Sequence, residues 1–392
     1  MWPIPSCAWS RPLGSLPKIE LRPEKDKDSG DLIGLNTLTR TKKGIPLGGI
    51  GAGNFMYNLC GSFGPWQMKV GRYEERFLSQ AAFHVREELA GGEVKARTLA
   101  TEDVLPAWRR LKPSEGQYHA LFPKGWCSYT SFSSDISMQF FSPIIKDNYR
   151  ETSYPAALFL FKIHNPATAR AKLSLMFTFP NAPYNGPQNT PMGSDPDSTK
   201  NARRRSGLSN RVMKNSKSGV TAILMEAHDP ENPHETEGTE WCIATSHAST
   251  YVPVWDGDSD GTDIWKDFAA NGMLANQDLV QSCQTPAGAL CHGGTRPRRQ
   301  RNGAVCTGLV FSAVGVRFWH AVVEAVYRVV PRCSGTGQTF PIFQNDRRRP
   351  TEMMPRVPVL EQAHSGQRVS SSCPFRTPHP SRRAFLQATT CL

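Results

Sequence analysis

The stretch AALFLFKIHNPATARAKLSLMFTF, residues 156–179, decides the fold class. Ala156–His164 is an apolar run of strand length, and its Leu158–Ile163 core is the most apolar in the chain, which predicts a central strand. Asn165-Pro166 then predicts a turn, because Pro cannot donate to a ladder and Asn tolerates turn geometry. Lys172–Phe179 alternates with period two. Leu173, Leu175, Phe177 and Phe179 share one face, and Lys172, Ser174, Met176 and Thr178 share the other, the pattern of a half-buried strand in a two-layered sheet.

Outward from this pair the texture persists. Asp135–Phe141 (DISMQFF) and Val220–Ala227 (VTAILMEA) read as further strands, and Gly44–Asn276 consists of short apolar runs broken by Pro, Gly, Asn and Asp. The fold class expected is all-β, an antiparallel β-sandwich. A polar insertion between Pro180 and Gly219 has little to bury and is expected to be a long loop, with Arg203–Arg205 as a solvated charge run.

The chain has 392 residues and a formal charge of +12. That charge is concentrated. Residues 278–392 hold 15 Arg, no Lys and 5 acidic side chains, whereas residues 1–277 are nearly neutral. A basic tail without Lys or ordered aromatic spacing argues against a nucleic-acid partner. Six of the ten cysteines also fall in the tail; Cys7, Cys60, Cys127 and Cys242 are widely spaced, as structural thiols are, and no CxxC pair occurs. The N-terminus has no basic leader followed by an apolar run, and no apolar stretch approaches the roughly 20 residues needed to cross a bilayer, so a soluble, cytoplasmic protein is expected.

The Gly-rich stretch GIPLGGIGAG, Gly44–Gly53, lacks the third glycine of a dinucleotide loop and the terminal Lys-Ser or Lys-Thr of a P-loop, so its glycines are assigned to positive φ and close backbone packing. Asp256, Asp258 and Asp260, followed by Gly261, imitate a calcium loop, but Asp263 stands at the usual apolar position and Asp267 replaces the closing Glu. Calcium there is left open against a solvated turn before a short helical segment, Ile264–Phe268. Eight tryptophans in the front part admit a sugar-stacking platform or an ordinary core. No carboxylate pair and no Ser, His and Asp set stands out. His84, His119, His164, His228, His234 and His247 share no motif, and Glu151 is a lone carboxylate suited to a structural hydrogen bond. No residue is assigned a catalytic, cofactor-binding or metal-binding role.

Six collinear segments carry a resemblance: IPSCAWSRPLG (4–14), GIPLGGIGAGNF (44–55), GSFGPWQMKVGRYE (61–74), LFPKGW (121–126), FSPIIKDNYRETSYPAALF (141–159) and DGTDIWKDFAANGML (260–274). Together they resemble glycoside hydrolase family 116, of the bile-acid β-glucosidase or non-lysosomal glucosylceramidase type. The resemblance implies a two-domain retaining β-glucosidase, in which an N-terminal β-sandwich precedes an (α/α)₆ barrel that carries the catalytic carboxylates and acts on β-glucosides or glucosylceramide-like glycolipids. No position here matches the barrel's motifs. The expected organisation is therefore residues 1–277 as an incomplete family 116 N-terminal sandwich and residues 278–392 as a non-homologous, disordered tail. In this expectation strand pattern ends at Gln277, and the tail has the composition of a GC-rich gene translated out of frame. The chain is thus expected to be a truncated, non-catalytic domain, inactive alone, with an autonomous carbohydrate-binding module as the alternative.

Overall fold

A computed structural model describes residues 2, 4–15, 24–25, 32–34, 42–69, 72–181, 208–215, 219–227, 240–245, 247, 249–276, 286–296 and 305–313. The chain divides into two units, Met1–Phe343 and Gln344–Leu392, and every described residue lies in the first.

The first strands are β1 (Trp9–Pro12), β2 (Glu24–Lys25) and β3 (Leu32–Gly34), followed by a meander of β4 (Gly44–Leu47), β5 (Asn54–Asn58), β6 (Phe63–Lys69) and β7 (Arg72–Glu74). Then come β8 (Ala82–Leu89), β9 (Val94–Thr98), β10 (Gly116–Leu121), β11 (Lys124–Tyr129), β12 (Asp135–Phe141), the single turn α1 (Tyr149–Thr152), β13 (Ala156–His164) and β14 (Ala171–Pro180). The remainder comprises β15 (Leu208–Asn215), β16 (Val220–Ala227), β17 (Glu240–Thr245), β18 (Thr250–Asp256), α2 (Thr262–Asn271), β19 (Pro286–Arg296) and β20 (Val305–Ala313).

Two antiparallel sheets form the layers. One has nine strands in the order β1-β10-β11-β12-β13-β20-β17-β16-β15, the other five in the order β18-β19-β14-β8-β9. The expected all-β architecture is present, and Ala156–His164 occupies the middle of the larger sheet. Residues Asn165 and Pro166 carry the chain from one sheet to the other; Asn165 Oδ1 accepts from Ala167 N at 3.0 Å and its Nδ2 donates to Ala169 O at 2.7 Å.

The facing sides interdigitate through aromatic rings. Phe83 on β8 lies 4.9 Å from Phe159 and 5.3 Å from Phe161 on β13, and stacks on Phe177 of β14 at 4.3 Å. The meander adds Tyr57, 5.1 Å from Phe140 and 5.6 Å from Phe159, and Phe63, 5.7 Å from Phe177. Edge-to-face and offset contacts of this kind stabilise beyond the area they bury. β13 is buried on both faces, since Leu158 and Leu160 pack on its far side with Ala222, Leu224 and Ala244.

Three sequence expectations are corrected. The second face of Lys172–Phe179 is not half-exposed, because Ser174, Met176 and Thr178 are buried under the layer that contains α2. The insertion 180–219 is not loop throughout: β15 lies within it and pairs with β16 along Leu208–Asn215, at the edge of the larger sheet. Arg203–Arg205 fall outside the described residues. Strand pattern does not end at Gln277, because β19 pairs with β14 from Ala171 to Pro180, and β20 is inserted between β13 and β17.

Candidate functional site

The most elaborate side-chain arrangement lies where α2 covers the outer face of the five-stranded sheet. On β8, Phe83 and Val85 point into the sandwich core, so His84 and Arg86 point outward beneath α2. His84 is fully buried among Trp108, Trp265 and Phe268, with ring centroids 4.5, 5.8 and 6.1 Å away. Its Nδ1 lies 3.0 Å from Thr98 Oγ1 and its Nε2 lies 3.1 Å from Thr178 Oγ1. Thr178 donates its own hydroxyl proton to Gln80 O at 2.8 Å, leaving lone pairs for the ring. Nε2 therefore carries the proton, and Nδ1 accepts from Thr98. Burial in this apolar cage lowers the imidazole pKa to about 3.

Two residues further along, the Arg86 guanidinium grips the end of α2. Nε donates to Ala269 O at 2.9 Å and Nη2 to Ala270 O at 2.8 Å, carbonyls that have no partner within the helix, while Nη1 binds Glu88 at 2.7 Å. The hydrogen bond from Arg86 holds the Glu88 carboxyl below its ordinary range.

Glycine marks both ends of α2. At Gly261, φ is +82° and a Cβ would lie 2.5 Å from Trp108 Nε1; at Gly272, φ is +69° and a Cβ would lie 2.4 Å from Ser174 Oγ. These contacts explain the DGTDIWKDFAANGML segment. The helix is longer than the expected Ile264–Phe268. Asp260 sits before it, accepting from Thr262 N at 2.9 Å and Thr262 Oγ1 at 2.8 Å, and these bonds lower its pKa. Asp256 Oδ1 accepts from Asp258 N at 3.1 Å. Asp256 and Asp260 thus bind their own turn, and among the described residues no group of three His, Cys, Asp or Glu is placed to hold a metal.

Other ionisable groups are engaged in local structure. Glu87 is buried on the opposite face of β8 and accepts from Ser133 N at 2.9 Å and Ser134 N at 2.8 Å, tying down the turn between β11 and β12. Lys42 binds Glu102 at 2.9 Å and Asp103 at 2.7 Å; burial pulls its pKa down, but the bonds to and charges of Asp103 and Glu102 outweigh that, and the net shift is upward. The two carboxylates share one ammonium, which offsets one of their two charges and engages both as hydrogen-bond acceptors rather than leaving either free as an acid or nucleophile. Ser10 Oγ lies 2.7 Å from His119 Nδ1, as a cross-strand pair of β1 and β10. His164 meets Asp135 at 3.1 Å on the exposed end of β12 and β13. Glu151 lies in α1, where its N–H donates to Asn148 Oδ1 at 3.1 Å. His228 and His234 fall outside the described residues; His247 meets His292 edge to face, with centroids 5.1 Å apart and planes inclined at 63°.

The thiols of Cys60, Cys242 and Cys291 are pushed up by burial, to about 11, 12 and 12, and that of Cys127 is pushed up further for the same reason. Buried thiols so shifted are poor nucleophiles.

The Gly-rich segment is the tip of the β4–β5 hairpin. A Cβ on Gly48, whose φ is +138°, would lie 2.2 Å from Gly53 O, and one on Gly49 would lie 2.3 Å from Ser153 O. The tip docks on the β12–β13 connection, with Gly48 N bonded to Ser142 Oγ at 2.7 Å and Ile50 N to Thr152 O at 3.0 Å. Close approach of backbone is thus what the glycines serve. Of the front tryptophans, Trp66, Trp108, Trp126, Trp241, Trp255 and Trp265 are buried and Trp2 is half-buried; Trp9 is 49% exposed.

Sequence reasoning missed the contacts of His84, Arg86 and Lys42. The one available signal was a charged residue interrupting the apolar run of β8, AFHVREEL.

No helix among the described residues is long and apolar enough to cross a membrane. The family described as "beta-glucosidase 2, glycosyl-hydrolase family 116 N-term" matches residues 44–307, from the first residue of β4 into β20. The five-stranded sheet, the glycine-tipped hairpin docked on the β12–β13 connection and the α2 latch all lie within that match, as does the nine-stranded sheet apart from β1 and the end of β20, and the chain belongs to the glycosyl-hydrolase family 116 N-terminal family.

Proposed function

We propose that this β-sandwich is the non-catalytic N-terminal domain of a β-glucosidase, that the hydrolytic carboxylates lie in a following domain, and that residues 1–392 alone do not cleave glycosides. On this reading residues 278–392 include the closing strands of the sandwich and a tail unrelated to the family. The parent enzyme acts on β-glucosides or glucosylceramide-like glycolipids, the chain is a cytoplasmic one, and no metal, cofactor or nucleic acid takes part.

One observation carries the reading. The buried carboxylate Glu87 is spent on the backbone of a turn, and the neighbouring carboxylates Glu102 and Asp103 converge on a shared lysine. A retaining glycosidase needs two carboxylates about 5 Å apart, one free to attack and one free to donate a proton. Burial of most of the tryptophans supports a core role for them over a sugar platform.

The test is covalent trapping. A 2-deoxy-2-fluoro β-glucoside with a good leaving group accumulates a glycosyl ester on the nucleophile of a retaining enzyme. Mass spectrometry of the full chain after incubation should show no adduct; a stoichiometric adduct on any Asp or Glu would overturn the proposal.

A further inference from the structure

The α2 latch closes on an Asn-Gly step. Asn271 is the last residue of α2 and is exposed, and Gly272 follows it in the left-handed region, with φ of +69°. Such a step is prone to deamidation, because glycine has no Cβ to keep its backbone nitrogen away from the preceding side-chain amide. The sequence holds two others, Asn185-Gly186 and Asn302-Gly303, and both lie outside the described residues.

In this reaction the Gly272 nitrogen loses its proton and attacks Asn271 Cγ. The new N–C bond closes a cyclic succinimide, and the side-chain nitrogen leaves as ammonia. Water then opens the ring. Attack at Cγ gives aspartate; attack at the main-chain carbonyl gives isoaspartate, whose backbone runs through Cβ and Cγ. Nothing is oxidised or reduced, and water is the sole co-reactant.

The fold holds the attacking nitrogen and the groups on either side of it. Gly272 N donates to Phe268 O at 2.8 Å, so the nucleophile is bound within the helix cap. Gly272 O accepts from Cys291 Sγ at 3.4 Å, and Leu274 N donates to Thr250 Oγ1 at 2.9 Å. Upstream, Arg86 holds the carbonyls of Ala269 and Ala270. A Cβ on Gly272 would lie 2.4 Å from Ser174 Oγ and 3.2 Å from Arg86 Cδ, so β14 and β8 wall this peptide in. The Asn271 side chain is thus open to water while the backbone it must react with is clamped. Ring closure needs the last turn of α2 to open, and its rate follows the open population.

We infer that Asn271 is a deamidation site gated by the α2 latch, with Arg86 as the gate. The product disfavours reclosure. A carboxylate at 271 faces the negative end of α2, and isoaspartate lengthens the main chain between Phe268 O and Gly272 N, the pair that caps the helix. Modification is therefore an irreversible record of latch opening.

The experiment ages the full chain at pH 8, folded and in guanidinium chloride. Peptide mapping by mass spectrometry counts amide-to-acid conversion at all three Asn-Gly steps. Conversion at Asn271 should be at least about tenfold slower in the folded chain than in the denatured one. In the folded state Arg86→Met should speed it by at least about fivefold and Arg86→Lys by less, with the other two steps changed by under about twofold. Should Arg86→Met fail to fold in a thermal melt, Arg86→Lys carries the comparison. The deamidated fraction, separated by ion exchange, should melt at least about 2 °C below the unmodified chain. Equal rates in folded and denatured chain would overturn the site's gating. An Arg86 variant that is folded yet no faster, or that speeds all three steps alike, would overturn the role of the latch. Equal melting of the deamidated fraction would overturn the irreversible opening.

Discussion

The imidazole Nε2 of His84 donates to Thr178 Oγ1 across the neighbouring strands β8 and β14, 3.1 Å away and fully out of water. The pair holds the ring neutral under α2, and burial lowers its pKa from an ordinary 6.5 to about 3. An unfolded chain takes up a proton near pH 6.5 that the folded chain refuses until near pH 3. Stability contributed by this residue is therefore intact above pH 6.5 and declines as the pH falls, by about 1.4 kcal/mol per pH unit. Urea unfolding between pH 4 and 8 should show His84→Gln with a slope shallower by close to one proton below pH 6.5. Parallel pH profiles for the two proteins would contradict this.

Arg86 joins β8 to the end of α2 through two helix carbonyls. Arg86→Met preserves much of the packing but leaves the carbonyls of Ala269 and Ala270 without their donors, at a cost of about 3 kcal/mol. Arg86→Lys should recover less than half of this, because an ammonium cannot reproduce the planar fork. The partly exposed Glu88, at 35%, should matter less, and Glu88→Gln should cost under about 1 kcal/mol. Chemical denaturation midpoints of the three variants check the ranking.

At Gly261 a side chain meets two obstacles, a left-handed φ of +82° and the Trp108 indole. Gly261→Ala should destabilise by about 2 kcal/mol or more. Gly91 provides the contrast, because a Cβ there would find no atom within 4 Å and its φ is not positive. Gly91→Ala should lie within about 0.5 kcal/mol of the parent in the same titration.

The strands legible in the sequence are those whose side chains meet a uniform environment. β12, β13 and β16 have the bounds that their apolar runs predict, and β14 extends its run by one residue at each end. β15 escaped because an edge strand, LSNRVMKN, needs few apolar positions; its buried Asn210 is held by Pro253 O and Asn181 Nδ2. β19, PAGALCHGGTR, escaped for a different reason. A Cβ on Gly288 would lie 2.9 Å from Met225 Cε and 3.0 Å from Ile223 Cγ2, so side chains of β16 fill the space where this strand has none to give a periodic signal. The buried second face of β14 depends on α2, which is distant in sequence and short. The calcium-like spacing at Asp256–Asp260 shows the converse: carboxylates at alternate positions also suit turns that bind their own amides.

Turnover is the most direct test of the claim that this sandwich carries no hydrolytic centre. Purified full chain, shown to be folded by its thermal melt, is incubated with 4-nitrophenyl β-D-glucoside from pH 4 to pH 8. Release of nitrophenol should equal that of buffer alone at every pH. Release above buffer that follows the protein through purification, and is lost in Glu102→Gln or Asp103→Asn, would place a catalytic pair inside the sandwich and contradict the account.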